Sequence, residues 1–373
     1  MTINRKLGFG YYEYELFGEE QHDNALREKL TGLYSTPLSD ILWWEVRDPS
    51  IANKKYYKLY CYKQGILKHI ILFKYFTDSC KKIFILNQEF AISVKDIEQI
   101  CNVLFDKFNT VKQIIFKHIF VIGPKNNSNM VIYKSSDDII ILNLPKSIDT
   151  YMNTLGNSTR KHIKLCSNHL IKKNPDFNVQ FYENSNISLE QVKKVIEMNA
   201  IRMTSKGVIP LIDETECKAI YNYISSGNGL LCVCTINGEI IGATINSIIG
   251  EHAYMHIISH NELYNKYSLG QIALFNTTKY LIEQKNINNY HLLHGDQEYK
   301  FRNGGINHDL YTIQIYKNKN MNMYYEKMMK AVKVNCSKYW KIQKTRLKKD
   351  KFIYDSVKRI KKILKIKKNN ENK

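Results

Sequence analysis

The densest group of reactive side chains is Gly295-Asp296-Gln297-Glu298-Tyr299-Lys300, with His294 directly before it. Amide-forming acyl transfer makes three demands. The acceptor ammonium needs a base, the tetrahedral oxyanion needs N–H donors, and the leaving group needs an acid or must be a good conjugate base. Asp296 and Glu298 are candidate bases, Tyr299 is a candidate acid or thiolate stabiliser, and Lys300 could hold a phosphate or carboxylate. The bland alternative is a sheet edge where Tyr299 packs and Lys300 pairs with Asp296. A second group is Ser268-Leu269-Gly270-Gln271-Ile272, at the start of a segment with helical spacing. A helix's first turn has unpartnered N–H groups and the positive dipole end, and glycine permits close approach. These five residues are therefore a candidate cradle for a pyrophosphate or similar anion, or else Gly270 is only the turn before a core helix. A strand N–H near Ile257 could serve the oxyanion. His256 and His294 could line the acceptor pocket, and a half-exposed histidine is the plain account of His256. His252, His256 and His260 do not suggest a metal, since strand residues four apart are separated by ~13 Å.

These groups need elements to hold them. Leu230–Thr235 and Glu239–Ile249 flank Asn237-Gly238, a hairpin signal because both turn positions need positive φ. Gly250-Glu251 leads into a strand His252–Ser259, a helix Gln271–Lys285 and a strand Tyr290–Leu293. Upstream, a helix runs from Ser147 to about Lys172 with a basic stripe of Arg160, Lys161, Lys164 and Lys172. After a short strand Asn178–Tyr182, Ser188 and Gln191 form a capping box for a helix through Thr204, stopped at Gly207. Asp213 caps one more helix, from Thr215 to about Ser225. Asp309–Tyr316 is expected to close this sheet.

The order of strand, strand, strand, helix, strand and then G-D-x-x-Y-K resembles the GNAT acyltransferase superfamily. More narrowly it is similar to the CelD-type acyltransferases of polysaccharide gene clusters and, further off, the Fem-type peptidyltransferases. Ser158-Thr159-Arg160, Arg202-Met203-Thr204-Ser205-Lys206-Gly207, Ser268-Leu269-Gly270 and Gly295 to Lys300 carry the resemblance, between Leu144 and Lys317. It implies a GNAT-like fold and an N-acyltransferase with acyl-CoA (acetyl-CoA) as donor and no metal. The implied acceptor is an amine on a small-molecule or lipid-linked sugar in surface polysaccharide biosynthesis. Arg160 and Arg202 match the family's arginines, which implies contact with a planar anion such as a phosphate on the substrate. One departure matters. The family's cofactor loop is Q/R-x-x-G-x-G/A, and Asn265-Lys266-Tyr267-Ser268-Leu269-Gly270 keeps only the last glycine. That favours a second reading, a Fem-like transferase with an aminoacyl-tRNA donor. A third is a catalytically silent binding protein of the same fold.

The 373 residues allow two ordinary domains and an extension, and 44% hydrophobic residues with 26 Tyr argue against a disordered chain. The expected fold class is α+β, with two tandem GNAT-like domains and a basic helical C-terminal extension. Residues 1–145 read as helix, hairpin, helix and strands, a reduced copy of the fold. Residues 146–320 form the acyltransferase domain. Residues 321–373 hold 18 Lys+Arg against four acids, +14 of the formal +20. Ile353, Val357, Ile360 and Leu364 fall on one helical face of that tail. It suits an anionic membrane surface, a tRNA, or no partner beyond water. No apolar run is long enough to span a membrane, and the N-terminus lacks the order of a signal peptide. The expected location is cytoplasmic, with peripheral contact at the inner membrane face. The eight Cys are scattered without a CxxC pair and read as buried thiols.

Overall fold

Local chemistry sets the hairpins and caps. The computed structural model describes residues 5–6, 12–18, 25–53, 55–76, 81–123, 130–135, 138–295 and 297–318. Asp296 and the basic tail lie outside the described residues. The first half contributes β1 (Arg5–Lys6), β2 (Tyr12–Phe17), helices α1 (Leu26–Tyr34), α2 (Ile41–Glu45) and α3 (Pro49–Ala52), β3 (Tyr57–Lys63) and β4 (Ile66–Phe76). β5 (Lys82–Ile85), β6 (Ala91–Ser93), α4 (Val94–Lys107), β7 (Gln113–Ile122), β8 (Met130–Lys134) and β9 (Ile139–Asn143) follow. Gln64 and Gly65 turn β3 into β4 with φ of 52° and 74°, the left-handed pair that a tight hairpin requires. The Ser93 side chain accepts from the Asp96 N–H and caps α4 as its position predicts.

In the second half, α5 (Ile148–Thr154) and α6 (Asn157–Lys173) replace the single helix expected from Ser147 to Lys172. Leu155 and Gly156 are extended, with ψ of 145° and 146°, which breaks the helix between them. β10 (Asn178–Glu183), α7 (Leu189–Ser205) and α8 (Glu214–Tyr223) come next. The Ser188–Gln191 capping box and the Asp213 cap form as expected. The meander is β11 (Gly229–Ile236), β12 (Glu239–Ile249) and β13 (His252–His260), with Asn237 and Gly238 at φ of 51° and 79°. α9 (Leu269–Glu283), β14 (Asn289–His294), α10 (Glu298–Arg302), β15 (Ile306–His308) and β16 (Tyr311–Tyr316) complete the described fold.

The strands form two mixed sheets. The first runs β1-β2-β3-β4-β5-β7-β16-β8, with β6 also on β7, and the second runs β10-β11-β12-β13-β14-β9-β15. β9 precedes residue 145, yet it pairs with β14 in the second sheet, Ile141 opposite His291. β16, expected to close the second sheet, lies between β7 and β8 in the first, where Ile313 and Ile315 join the core of Leu59, Phe73 and Ile114. An apolar period marks a strand but not its neighbour. Long-range pairing decided both placements. Among the described residues no helix is long and apolar enough to cross a membrane. The six described cysteines are free, and five of them are buried.

Candidate active site

β13 and β14 run parallel but pair at only three positions, from His252 opposite Asn289 to Tyr254 opposite His291. Beyond these they diverge, and the gap widens into a cavity of about 970 Å³. Both walls are distorted there. On one side, Asn246 opposes Met255 and Ile245 opposes Ile257, so His256 is the extra residue of a bulge. On the other, Leu293 and Gly295 adopt φ of 57° and 99° as β14 ends. His256 sets a ring nitrogen 2.9 Å from the Ser247 hydroxyl and stacks on Trp43. Burial, and then the Arg47 charge, lower its pKa to about 3, so the imidazole is neutral at ordinary pH.

Helix α9 points its N-terminus at the cavity. No side chain caps it and its first turn carries no acid. The Ser268 hydroxyl lies 3.0 Å from His162 of α6, and a Cβ on Gly270 would come within 3.0 Å of the His260 ring. Of the five N–H groups expected to face a ligand, three are spent internally. Ser268 donates to Asn265 O at 3.0 Å, while Gln271 and Ile272 donate to Ser268 O at 2.8 and 3.2 Å. Leu269 and Gly270 remain. The Gln271 side chain exchanges hydrogen bonds with Asn303, at 2.6 and 3.0 Å, which ties α9 to α10.

Arg202, His256, Ile257, Ser268, Gly270, Gln271, His294, Tyr299 and Lys300, each anticipated from sequence, line the one cavity. Tyr299 is half-buried. Burial raises its pKa against the opposing Arg202 charge, and its hydroxyl has no hydrogen-bond partner among the described residues. Lys300 is buried, and its ammonium donates to the carbonyls of Leu293 and His294 at 3.2 and 2.6 Å. Its charge thus braces the end of β14. The remaining residues sit elsewhere. Leu269 and Ile272 are buried in the core with Leu170 and Tyr267, because consecutive positions of a helix face different ways. Glu298 is in solvent, 2.6 Å from Arg302 one turn along α10. Arg160 reaches Asn153 at 3.4 Å and does not line the cavity. His162, Asn199 and Lys206 also line it. Asn199, Arg202, Met203 and Lys206 follow i, i+3, i+4 and i+7, and that spacing alone could have placed them on one helix face.

Residues 220–301 match the family model described as an acetyltransferase (GNAT) domain. They comprise most of the cleft: the meander, α9, β14 and the start of α10. This segment is similar to the GNAT acetyltransferases. Three solved structures resemble the chain at 10% identity, which establishes fold alone. FemX has a TM-score of 0.58 and covers 82% of this chain and 98% of its own. L-PGS from Bacillus licheniformis has a TM-score of 0.51 with 84% and 98% covered. A conserved protein of unknown function from Bacteroides thetaiotaomicron also scores 0.51, with 79% and 98% covered. The search of curated proteins found no match. The GNAT-like fold, mixed α+β in two tandem halves, agrees with the expectation from sequence.

Proposed function

We propose that the chain forms amides by acyl transfer in the β13–β14 cleft, with an aminoacyl-tRNA as donor. The observation that carries the choice of donor is the start of α9. Three of its five N–H groups are committed internally, a poor cradle for the pyrophosphate of coenzyme A. An aminoacyl ester needs only its acyl end in the cleft. The fold the chain shares with FemX and L-PGS accommodates this reading, and the degraded cofactor loop Asn265 to Gly270 favours it.

In this reading the acceptor ammonium gives a proton to a base on the cleft wall. The amine nitrogen then attacks the ester carbonyl, a backbone N–H at the β13 bulge holds the oxyanion, and the C–O bond to the ribose breaks. The Tyr299 hydroxyl, kept protonated by burial, supplies the leaving oxygen with a proton and regains one from the nitrogen. Net, one ester C–O bond becomes one amide C–N bond and one proton goes to solvent. Arg202 and Lys206 on the cavity wall suit a phosphate on the acceptor. Ile209 and Leu211 are 74% and 90% exposed beside Ile212, which lines the cavity. That apolar lip suits an acceptor with a lipid chain, such as a lipid-linked amino sugar, held at an anionic membrane surface.

A second reading keeps acetyl-CoA as donor and an amino sugar of surface polysaccharide as acceptor. The description of the matched family as an acetyltransferase favours it. The two separate in one experiment. The protein is incubated with a lipid-linked amino-sugar extract and either a radiolabelled aminoacyl-tRNA pool or radiolabelled acetyl-CoA. Label entering the extract from tRNA supports the first reading, and label from acetyl-CoA alone replaces it with the second.

A further inference from the structure

We infer that Glu89 and His294 form a proton-sharing pair behind the cleft wall, in which Glu89, from the first half of the chain, is a positioning residue for the His294 imidazole. The catalytic use of the pair rests on reading the cleft as an acyl-transfer site. The pair itself rests on three separate observations.

Glu89 is a buried acid, its side chain 2% exposed. Its Oε1 has no hydrogen-bond partner among the described residues, and His294 Nε2 lies 3.6 Å away. An acid buried without hydrogen bonds is costly, and such departures from good packing concentrate where function requires them. The backbone around the pair is strained as well. Glu89, His118 and Leu293 have φ of 54°, 49° and 57°, which L side chains rarely adopt. The Glu89 N–H donates to the His118 carbonyl at 2.7 Å, and the His118 and His294 rings lie 5.9 Å apart. Three such residues converging on one spot is a pattern of functional sites. Third, His294 reaches the substrate space: its side chain is 36% exposed and lines the cavity.

The other ionisable groups around the pair are His118, Tyr254 and Lys300. Burial, with the Glu89 charge adding to it, keeps Tyr254 protonated, and Lys300 is held on the His294 carbonyl. Burial pushes the Glu89 carboxyl up to about 8, so its proton exchanges near neutral pH. At neutral pH the carboxyl is mostly protonated, and the working form is the ionised fraction, a carboxylate beside a neutral imidazole. Since His294 Nδ1 is buried, Nε2 takes one proton from the acceptor ammonium at the cavity edge, the imidazolium is held by the Glu89 carboxylate, and that proton goes to solvent as product leaves. The base of the proposed reaction is thus His294, and the first half of the chain contributes to the site of the second.

The test is NMR titration of the full chain labelled with 15N-histidine, the His294 signal assigned by its loss in His294→Asn among the eleven histidines. In Glu89→Gln the His294 pKa should fall by at least one unit, a tenfold change in proton affinity, with partial recovery in Glu89→Asp. In the wild type, the 13C carboxyl signal of Glu89 and the His294 ring should share their titration midpoints, which needs no variant to fold. An unchanged His294 titration in Glu89→Gln, or independent midpoints in the wild type, overturns the pair. The readout needs no substrate. Coupled titration in a protein inactive with both donors would keep the pair and sink the acyl-transfer reading. Activity with uncoupled groups would do the reverse.

Discussion

Each half of the chain sets a parallel strand pair beside the start of a helix, and the two gaps are treated in opposite ways. In the first sheet β5 pairs with β7 from Lys82 opposite Gln113 to Phe84 opposite Ile115. The following chain then fills the space. Asn87 and Phe90 are buried, the Asn87 Oδ1 accepts from the Leu72 N–H at 2.7 Å, and β6 pairs with the rest of β7. Helix α4 is closed by the Ser93 cap and by Asp96 in its first turn. In the second sheet no described residue after Tyr254 pairs across to β14, and α9 begins without cap or acid. A cleft and an unneutralised helix terminus result from what this half leaves out.

The comparison can be broken most directly at two tyrosines. Tyr299→Phe should lower turnover by roughly 10²-fold with little change in stability, as expected for loss of a proton donor. Tyr34 in the first half accepts from the Ile70 N–H at 2.9 Å and donates to its carbonyl at 3.2 Å. Tyr34→Phe should leave turnover intact and cost about 1–3 kcal/mol in urea unfolding, because buried groups lose their partners. The reverse pattern would place the chemistry in the wrong half. Next comes the seam between the halves. Asp40 is fully buried and holds Arg27 and the Tyr223 hydroxyl, each at 3.1 Å. Burial raises its pKa and Arg27 opposes the rise. Asp40→Ala should cost about 1–3 kcal/mol, because the buried Tyr223 hydroxyl and the Leu42 N–H lose their acceptor, while Arg27, one-third exposed, is left to solvent. A smaller effect separates the helix starts. Ser93→Ala should cost about 1 kcal/mol and leave donor binding unchanged, whereas Ser268→Asp, which sets an acid where a pyrophosphate would lie, should weaken any acetyl-CoA binding and leave the aminoacyl-tRNA donor bound.

The pH dependence of stability should show two limbs of opposite sign. His256 has a folded pKa of about 3 against an ordinary 6.5, so its contribution is present above pH 6.5 and is lost as pH falls toward 3. Glu89 has a folded value of about 8 against 4.5, so its contribution is present below pH 4.5 and is lost as pH rises through 8. Thermal melts across pH should show His256→Gln flattening the acid limb and Glu89→Gln the alkaline limb. Unchanged slopes would mean that neither group titrates as its burial requires.

What was legible in the sequence was local. Asn237-Gly238, the Ser93 cap and the Ser188–Gln191 box depend on a few adjacent residues, and each formed where its chemistry required. The exchange of β9 and β16 between sheets was hidden, because Ile139–Asn143 and Tyr311–Tyr316 both read as strands but their partners are distant in sequence. The site followed the same rule. Arg202, Gly270 and Tyr299 could be picked out by motif, but motif treats neighbouring positions alike. Leu269 and Glu298 were therefore drawn in, although one faces the core and the other solvent. Glu89 carried no local signal, since its importance comes from His294, far along the chain.

The central claim is that the open gap of the second sheet, and not the filled gap of the first, receives the acyl donor. Amide hydrogen exchange with and without a non-hydrolysable aminoacyl-tRNA, and separately with acetyl-CoA, tests it most directly. Donor binding should slow exchange at residues 255–260, 268–272 and 292–299, and leave 86–93 and 113–122 unchanged. Protection confined to the first sheet, or none in the second with either donor at saturating concentration, would contradict the claim.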